Sequence, residues 1–237
     1  MSLNEKLSIP PRIHPISTIQ VPDVIETSMA GVPVFQILKE DCGVVLIDLV
    51  FFAGRPQEEC QLASSVCAPM MREGAGTYNS EALSEEVDFM GATISVSSNL
   101  DLITARMICL KKYLPAVADL MGQVLSAPHF DSKEFEHFIQ RRVERLQHEL
   151  SKNDVISYRE LTAAIYGNES PYGYNSSPEK YKALRIESVT SHYQRTIKRK
   201  NCVAFVAGDV AVSDHPIIEE LISNIPQGGT NLSLIHI

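Results

Sequence analysis

The sequence predicts an α+β domain in which an antiparallel-rich sheet is covered by helices. Three observations carry this expectation. Strand-like runs come in neighbouring pairs, 32–38 with 44–52 and 92–98 with 102–110, and helical periodicity separates the pairs, without strict βαβ alternation. The run 44–52 is apolar on both faces apart from Asp48, the pattern of a strand in the middle of a sheet. A chain of 237 residues with 44% apolar and 21% charged side chains can bury a sizeable core.

Taken in order, residues 1–22 read as an N-terminal arm punctuated by Pro10, Pro11, Pro15 and Pro22, and 23–227 as one domain. Val32–Leu38 is a strand, and with 44–52 it is close enough for a hairpin across the turn 39–43. Residues 58–73 read as a helix from Leu62, Val66 and Met70, with Pro69 inside it predicting a kink or an early end. Ser80–Met90 is a helix capped by Asn79 or Ser80, and Gly91 ends it. Residues 92–98 alternate as a half-buried strand, Asn99-Leu100 is a turn, and 102–110 is the partner strand. Tyr113–Ser126 is a helix with Pro115 in its first turn. Asp131–Lys152 is the longest helix: Asp131 and Glu134 resemble a capping box, and Phe135, Ile139, Val143 and Leu146 form its apolar stripe. Further helices are read at 155–166, 186–198 and 216–225, a strand at 202–207, and a Ser/Asn/Pro-rich loop after Pro171. The tail 228–237 has room for a final strand.

The net charge of -8 argues against nucleic acid as a partner, because phosphate binding needs a basic face. No run reaches the roughly 20 apolar residues of a membrane span. With no secretory-type apolar segment near Met1, a cytoplasmic location is expected over a periplasmic one. Cys42, Cys60, Cys67, Cys109 and Cys202 are odd in number and lack a CxxC spacing, so they read as buried or reduced thiols, with Cys60 and Cys67 on one helix. There is no GxGxxG, no Walker loop and no GxSxG elbow.

Several strings, in their joint order, resemble one half of an insulinase/pitrilysin-type (inverzincin) zinc peptidase. Gly31-Val32-Pro33-Val34 is similar to the family's opening strand, Ala53-Gly54-Arg55-Pro56 to its AGSR-like strand end, and Ser80-Glu81 through Gly91-Ala92 to its following helix and turn. Pro128 through Phe135, Pro171-Tyr172-Gly173 and Ala207-Gly208-Asp209-Val210 match later strings. The resemblance implies an α+β peptidase-like domain, zinc as the family cofactor, and an H-x-x-E-H motif whose two imidazoles, four apart on one helix face, grip a metal while the glutamate serves the bound water as base.

That motif is absent. In one register its place is taken by Ser64-Ser65-Val66-Cys67-Ala68, in the next by Ser65-Val66-Cys67-Ala68-Pro69. No two of the histidines 14, 129, 137, 148, 192, 215 and 236 are four apart. Glu144, near where the resemblance places a third ligand, is the one remnant candidate, and with His148 it makes at most a two-ligand pair on a solvated face.

The resemblance further implies that Ile94, Ser95 and Val96 form the strand on which relatives pair a substrate backbone, a capture that tolerates any side chain. The expectation is therefore a zinc-site-lacking peptidase-family domain with no cofactor of its own. It would partner an active homologous subunit or second domain, form chamber wall and bind extended peptide. Two rivals are a metallopeptidase with an atypical zinc site and a structural subunit without peptide affinity.

Overall fold

The computed structural model describes residues 22–228; the expected arm, apart from Pro22, and the tail beyond Gly228 lie outside the described residues. Six strands, β1 (Ile25–Met29), β2 (Val32–Leu38), β3 (Val44–Phe51), β4 (Thr93–Ser98), β5 (Ile103–Leu110) and β6 (Cys202–Gly208), form one sheet in the order β1-β2-β6-β3-β5-β4. Eight α-helices accompany them among the described residues: α1 (Ala63–Met70), α2 (Ser80–Phe89), α3 (Leu114–Ser126), α4 (Ser132–Glu149), α5 (Asn153–Tyr166), α6 (Pro178–Ala183), α7 (Ile186–Thr196) and α8 (His215–Ser223).

The α+β class stands, and β3 is central as its two-sided apolar pattern requires. The β2–β3 hairpin does not form. β6 lies between the two strands, parallel to β2 and antiparallel to β3, so the connection 39–43 spans a strand instead of turning within a ladder. The insertion is locked at its end: Lys39 N–H donates to Gly208 O at 2.8 Å, Asp209 N–H donates to Val44 O at 2.9 Å, and the Asp209 carboxylate accepts from Gly43 N at 3.2 Å and Lys111 Nζ at 2.6 Å. That lysine contact holds the Asp209 carboxyl below its ordinary range. Gly208 has φ 109°, and a Cβ there would lie 2.1 Å from Val44 O. β6 is apolar on both faces, so gaining two ladders outweighs the local hairpin.

The β4–β5 hairpin forms as read. Asn99 N–H donates to Leu102 O at 2.9 Å, and its side chain accepts from Asp101 N and Leu102 N at 2.9 and 2.8 Å. β1, which periodicity missed because four of its five residues are exposed, joins β2 through a two-residue turn at Ala30-Gly31. α6 lies in what reads as a loop; its Ser177 side chain caps Lys180 N at 3.2 Å. Asp131 caps α4 as expected, accepting from Lys133 N and Glu134 N.

One face of the sheet carries Val34, Val45, Ile47, Leu49, Met107 and Val206, all essentially inaccessible, and the helices pack on it. On the other face Phe35 stacks on Phe205 with centroids 5.6 Å apart. Leu46, Val50 and Ile108 surround the Asp48–Arg106 pair at 2.6 Å, and none of these side chains is buried. α5 buries no residue and turns Tyr158, Leu161 and Ile165 outward. No helix among the described residues is long and apolar enough to cross a membrane. Of the thiols, all free, Cys67, Cys109 and Cys202 are buried, Cys60 is half-buried and Cys42 exposed; Cys60 lies before α1, not on it.

Gly54 is held by contact rather than by conformation. Its N–H donates to Asp101 O at 2.9 Å, and an added Cβ would sit 2.3 Å from Asp101 C and Leu100 O. Both are backbone atoms that cannot swing aside. Gly54→Ala is expected to destabilise the fold by about 2–4 kcal/mol in urea unfolding; an unchanged midpoint would contradict this packing.

Candidate functional site

The helix that should carry chemistry is α1, and its start is decided by a carboxylate. The helical reading from residue 58 fails because residues 55–57 form a 3-10 turn and Leu62 takes a left-handed conformation, φ 75°. A leucine pays about 1 kcal/mol or more for that conformation. Glu58 secures it: its carboxylate accepts from Leu62 N at 3.2 Å, Ser64 N at 2.9 Å, Ser64 Oγ at 2.6 Å and Tyr174 OH at 2.7 Å. Burial, and then the adjacent Glu58 charge, push the Tyr174 hydroxyl above its ordinary range, so it stays protonated and donates. Arg55 lies over the Tyr174 ring at 4.3 Å and donates to the carbonyls of Pro171 and Tyr174. Pro69 lies inside the helix, which ends one residue later at Met70, short of the expected residue 73; the Met71 N–H still donates to Cys67 O at 3.0 Å.

The burial pattern chooses between the two motif registers. Ser64, Val66, Cys67, Ala68 and Met70 are buried, whereas Ser65 and Pro69 are only half-buried. The i, i+4 pair on the open face is therefore Ser65 and Pro69, where imidazoles would face a metal. Ser65 Oγ donates to Leu62 O at 2.8 Å, and a proline ring offers no ligand atom. Ala68 holds the place of the general base and points into the core. These residues do not fit zinc. Among the described residues no group of three His, Cys, Asp or Glu is placed to hold a metal ion. Burial raises the Cys67 thiol far from its ordinary range, leaving it neither thiolate ligand nor nucleophile.

Glu144 is exposed and accepts from Gln140 Nε2 at 3.2 Å. It stands on the rim of a groove lined by Phe135, Val143, Tyr181 and Leu184, with no residue of α1 in the lining. The α4 residue that does reach the end of α1 is Arg141, 4.0 Å from Glu73. His148 is exposed on the same helix. From the sequence Arg141 reads only as part of a solvated face, and Arg72, in the turn seven residues beyond Ser65, carries no signal there.

β4 is an edge strand: it pairs with β5 and with no other strand among the described residues. The Asn99–Leu102 bond fixes the alternation of the ladder. Thr93, Ser95 and Ser97 spend their N–H and C=O groups on β5, while Ile94, Val96 and Ser98 direct theirs to the open edge. Ile94 and Val96 side chains are buried, against the sheet face on which α1 packs, and Ser95 points to the other face.

α1 also packs against α7, where His192 is 2% exposed and bonds Ala53 O at 2.8 Å through Nε2. Desolvation is the largest influence on it and lowers its pKa below the ordinary 6.5, so the folded ring is neutral. The unfolded chain takes up this proton as pH falls below about 6.5, the folded chain does not, and stability from this residue is complete above that pH and declines below it. His192→Gln, which keeps a donor but cannot titrate, should be less stable than wild type at pH 7.5. The gap should narrow towards pH 5.5, by up to about 1.4 kcal/mol per pH unit. A gap constant in urea unfolding across that range would refute the neutral buried ring.

The family model described as insulinase, peptidase family M16, matches residues 45–172. No curated protein matches the chain. Among solved structures, an inactive domain of an M16 peptidase from Pseudomonas fluorescens superposes with a TM-score of 0.83 at 18% identity, covering 89% of this chain and 52% of that one. A protease from Helicobacter pylori gives 0.77 at 13% identity over 88% and 52%. Pitrilysin gives 0.73 at 13% identity over 86% and 23%. At these identities the likeness is one of fold, and the chain spans about half the length of the first two structures.

Proposed function

The chain belongs to the insulinase family of peptidases, M16, and from that premise we propose that it is a non-catalytic member that holds no zinc, captures extended peptide along β4, and forms the wall of a chamber completed by an active homologous half. The observation that carries this reading is the open face of α1, where Ser65 and Pro69 stand in place of two metal ligands beside an intact edge strand. Without a Lewis acid or a base at Ala68, a peptide on β4 meets nothing that polarises its carbonyl or activates water. The capture itself needs only the outward N–H and C=O groups of Ile94, Val96 and Ser98.

The partner reading draws support from the second face of the sheet. Phe35, Phe205, Leu46, Val50 and Ile108 form an apolar surface of a kind that marks interaction sites. The first two matched structures are about twice as long as this chain, which supports a homologous domain as the occupant of this face.

Two experiments test the proposal. After zinc is added in excess and dialysed away, mass-spectrometric metal analysis should find far less than one zinc per chain. Near-stoichiometric retention would overturn the non-catalytic reading in favour of an atypical metallopeptidase site, with Glu144 and His148 as the first ligands to substitute. Amide exchange followed by NMR should slow at Ile94 and Val96 when the chain is saturated with acetyl-Thr-Val-Thr-Val-Thr-Val. Thr93 and Ser95, already bonded to β5, should change little. Uniform exchange with and without peptide would remove β4 as the capture strand.

A further inference from the structure

We propose that Arg72 is a carboxylate-binding residue that anchors the peptide on β4. The inference rests on the peptide-capture reading above and adds the chemical class of the peptide: an extended segment bearing a carboxylate, from its C-terminus or from an acidic side chain.

Arg72 is a partly buried cation whose side chain lacks an acceptor among the described residues. Arg55, Arg106, Arg142, Arg159, Arg195 and Arg199 each engage a carboxylate, a carbonyl or a hydroxyl. The Arg72 side chain makes no hydrogen bond and no ion pair among the described residues, and its Nε is buried without a partner. Arg185 is also unengaged, but it is exposed to water, whereas Arg72 is half-buried. A guanidinium that has lost part of its hydration and gained no acceptor carries a desolvation cost. A carboxylate relieves it best, because the planar fork of donors matches two oxygens at once.

The neighbouring acid does not fill this role. Glu73 accepts from Ser80 Oγ at 2.9 Å and faces Arg141 at 4.0 Å. Arg141 thus brings a second guanidinium to the same corner. The position of Arg72 is equally specific. α1 ends at Met70 with Met71 still in helical conformation, and Arg72 lies in the turn that follows, seven residues beyond Ser65 and so on the side of the helix that Ser65 and Pro69 occupy. α1 itself packs on β4. Pro69, lacking an N–H, also leaves the Ser65 carbonyl on that face without its helical donor.

The site unfit for zinc has an organic cation close by in sequence. A guanidinium binds a carboxylate but carries no bound water to deliver as a nucleophile. The proposed role is therefore binding.

The test uses the 237-residue chain and three peptides: acetyl-Thr-Val-Thr-Val-Thr-Val as the free acid, the same peptide as its C-terminal amide, and the amide with Glu in place of the last Thr. Dissociation constants are measured by calorimetry on wild type, Arg72→Gln and Arg72→Lys, each checked for an unchanged circular dichroism spectrum. At least one acidic peptide should bind wild type about tenfold more tightly than the plain amide. That advantage should vanish in Arg72→Gln and survive in part in Arg72→Lys. Which acidic peptide gains identifies the source of the carboxylate. Equal affinities for all three peptides, or an advantage that persists in Arg72→Gln, would overturn the role of Arg72 and leave capture on β4 standing. If no peptide binds at all, both proposals fall.

Discussion

The structure depends on one close crossing. As the chain leaves β3 it passes beneath the β4–β5 turn, with the Gly54 N–H bonded to Asp101 O and no room for a Cβ between the two backbones. Everything that presents α1 follows from this contact. Arg55 turns into the loop after α5 and fixes the carbonyls of Pro171 and Tyr174. Tyr172 returns to the same turn by donating to Asp101 at 2.7 Å. Tyr174 in turn donates to Glu58, which sets the left-handed Leu62 and the first residues of the helix. From behind, His192 holds Ala53 O, and Asn201 Nδ2 holds Phe52 O at 3.0 Å.

This arrangement explains how a peptidase architecture can persist without peptidase residues. The two sides of α1 answer to different forces. Its inner side, with Val66, Cys67, Ala68 and Met70, is bound into the core and cannot change without cavities or overpacking. Its outer side, with Ser65 and Pro69, is only half-buried, so core packing constrains those side chains less. The Glu58 hub belongs to the inner side: its four donors come from the helix start and Tyr174, and none from a metal or substrate. Fold and chemistry are therefore separable here, and membership of a peptidase family fixes the first only.

Electrostatics sharpen the same division. The acidic chain keeps most of its charges paired or solvated, as in the bidentate Asp48–Arg106 contact on the open sheet face and the Lys111–Asp209 contact that closes β6 into the sheet. Arg72 departs from this rule: its Nε is buried without a partner among the described residues, in the turn that follows α1.

What the sequence determined by itself was local or periodic. The turn chemistry of Asn99, the cap at Asp131 and the two-sided apolar pattern of β3 each act over a few residues, and each appears in the structure as read. The absence of an H-x-x-E-H string is read directly from the sequence, because two ligands on one helix face must be four residues apart. Tertiary structure decided the rest. β6 enters between β2 and β3 through pairings more than 150 residues apart, which no local pattern encodes. The start of α1 depends on Tyr174, 116 residues from Glu58. The choice between Ser64/Ala68 and Ser65/Pro69, the free edge of β4 and the unpaired state of Arg72 are properties of what packs nearby. Periodicity records which side chains prefer to be buried, but only the folded neighbours determine which polar groups are left without a partner.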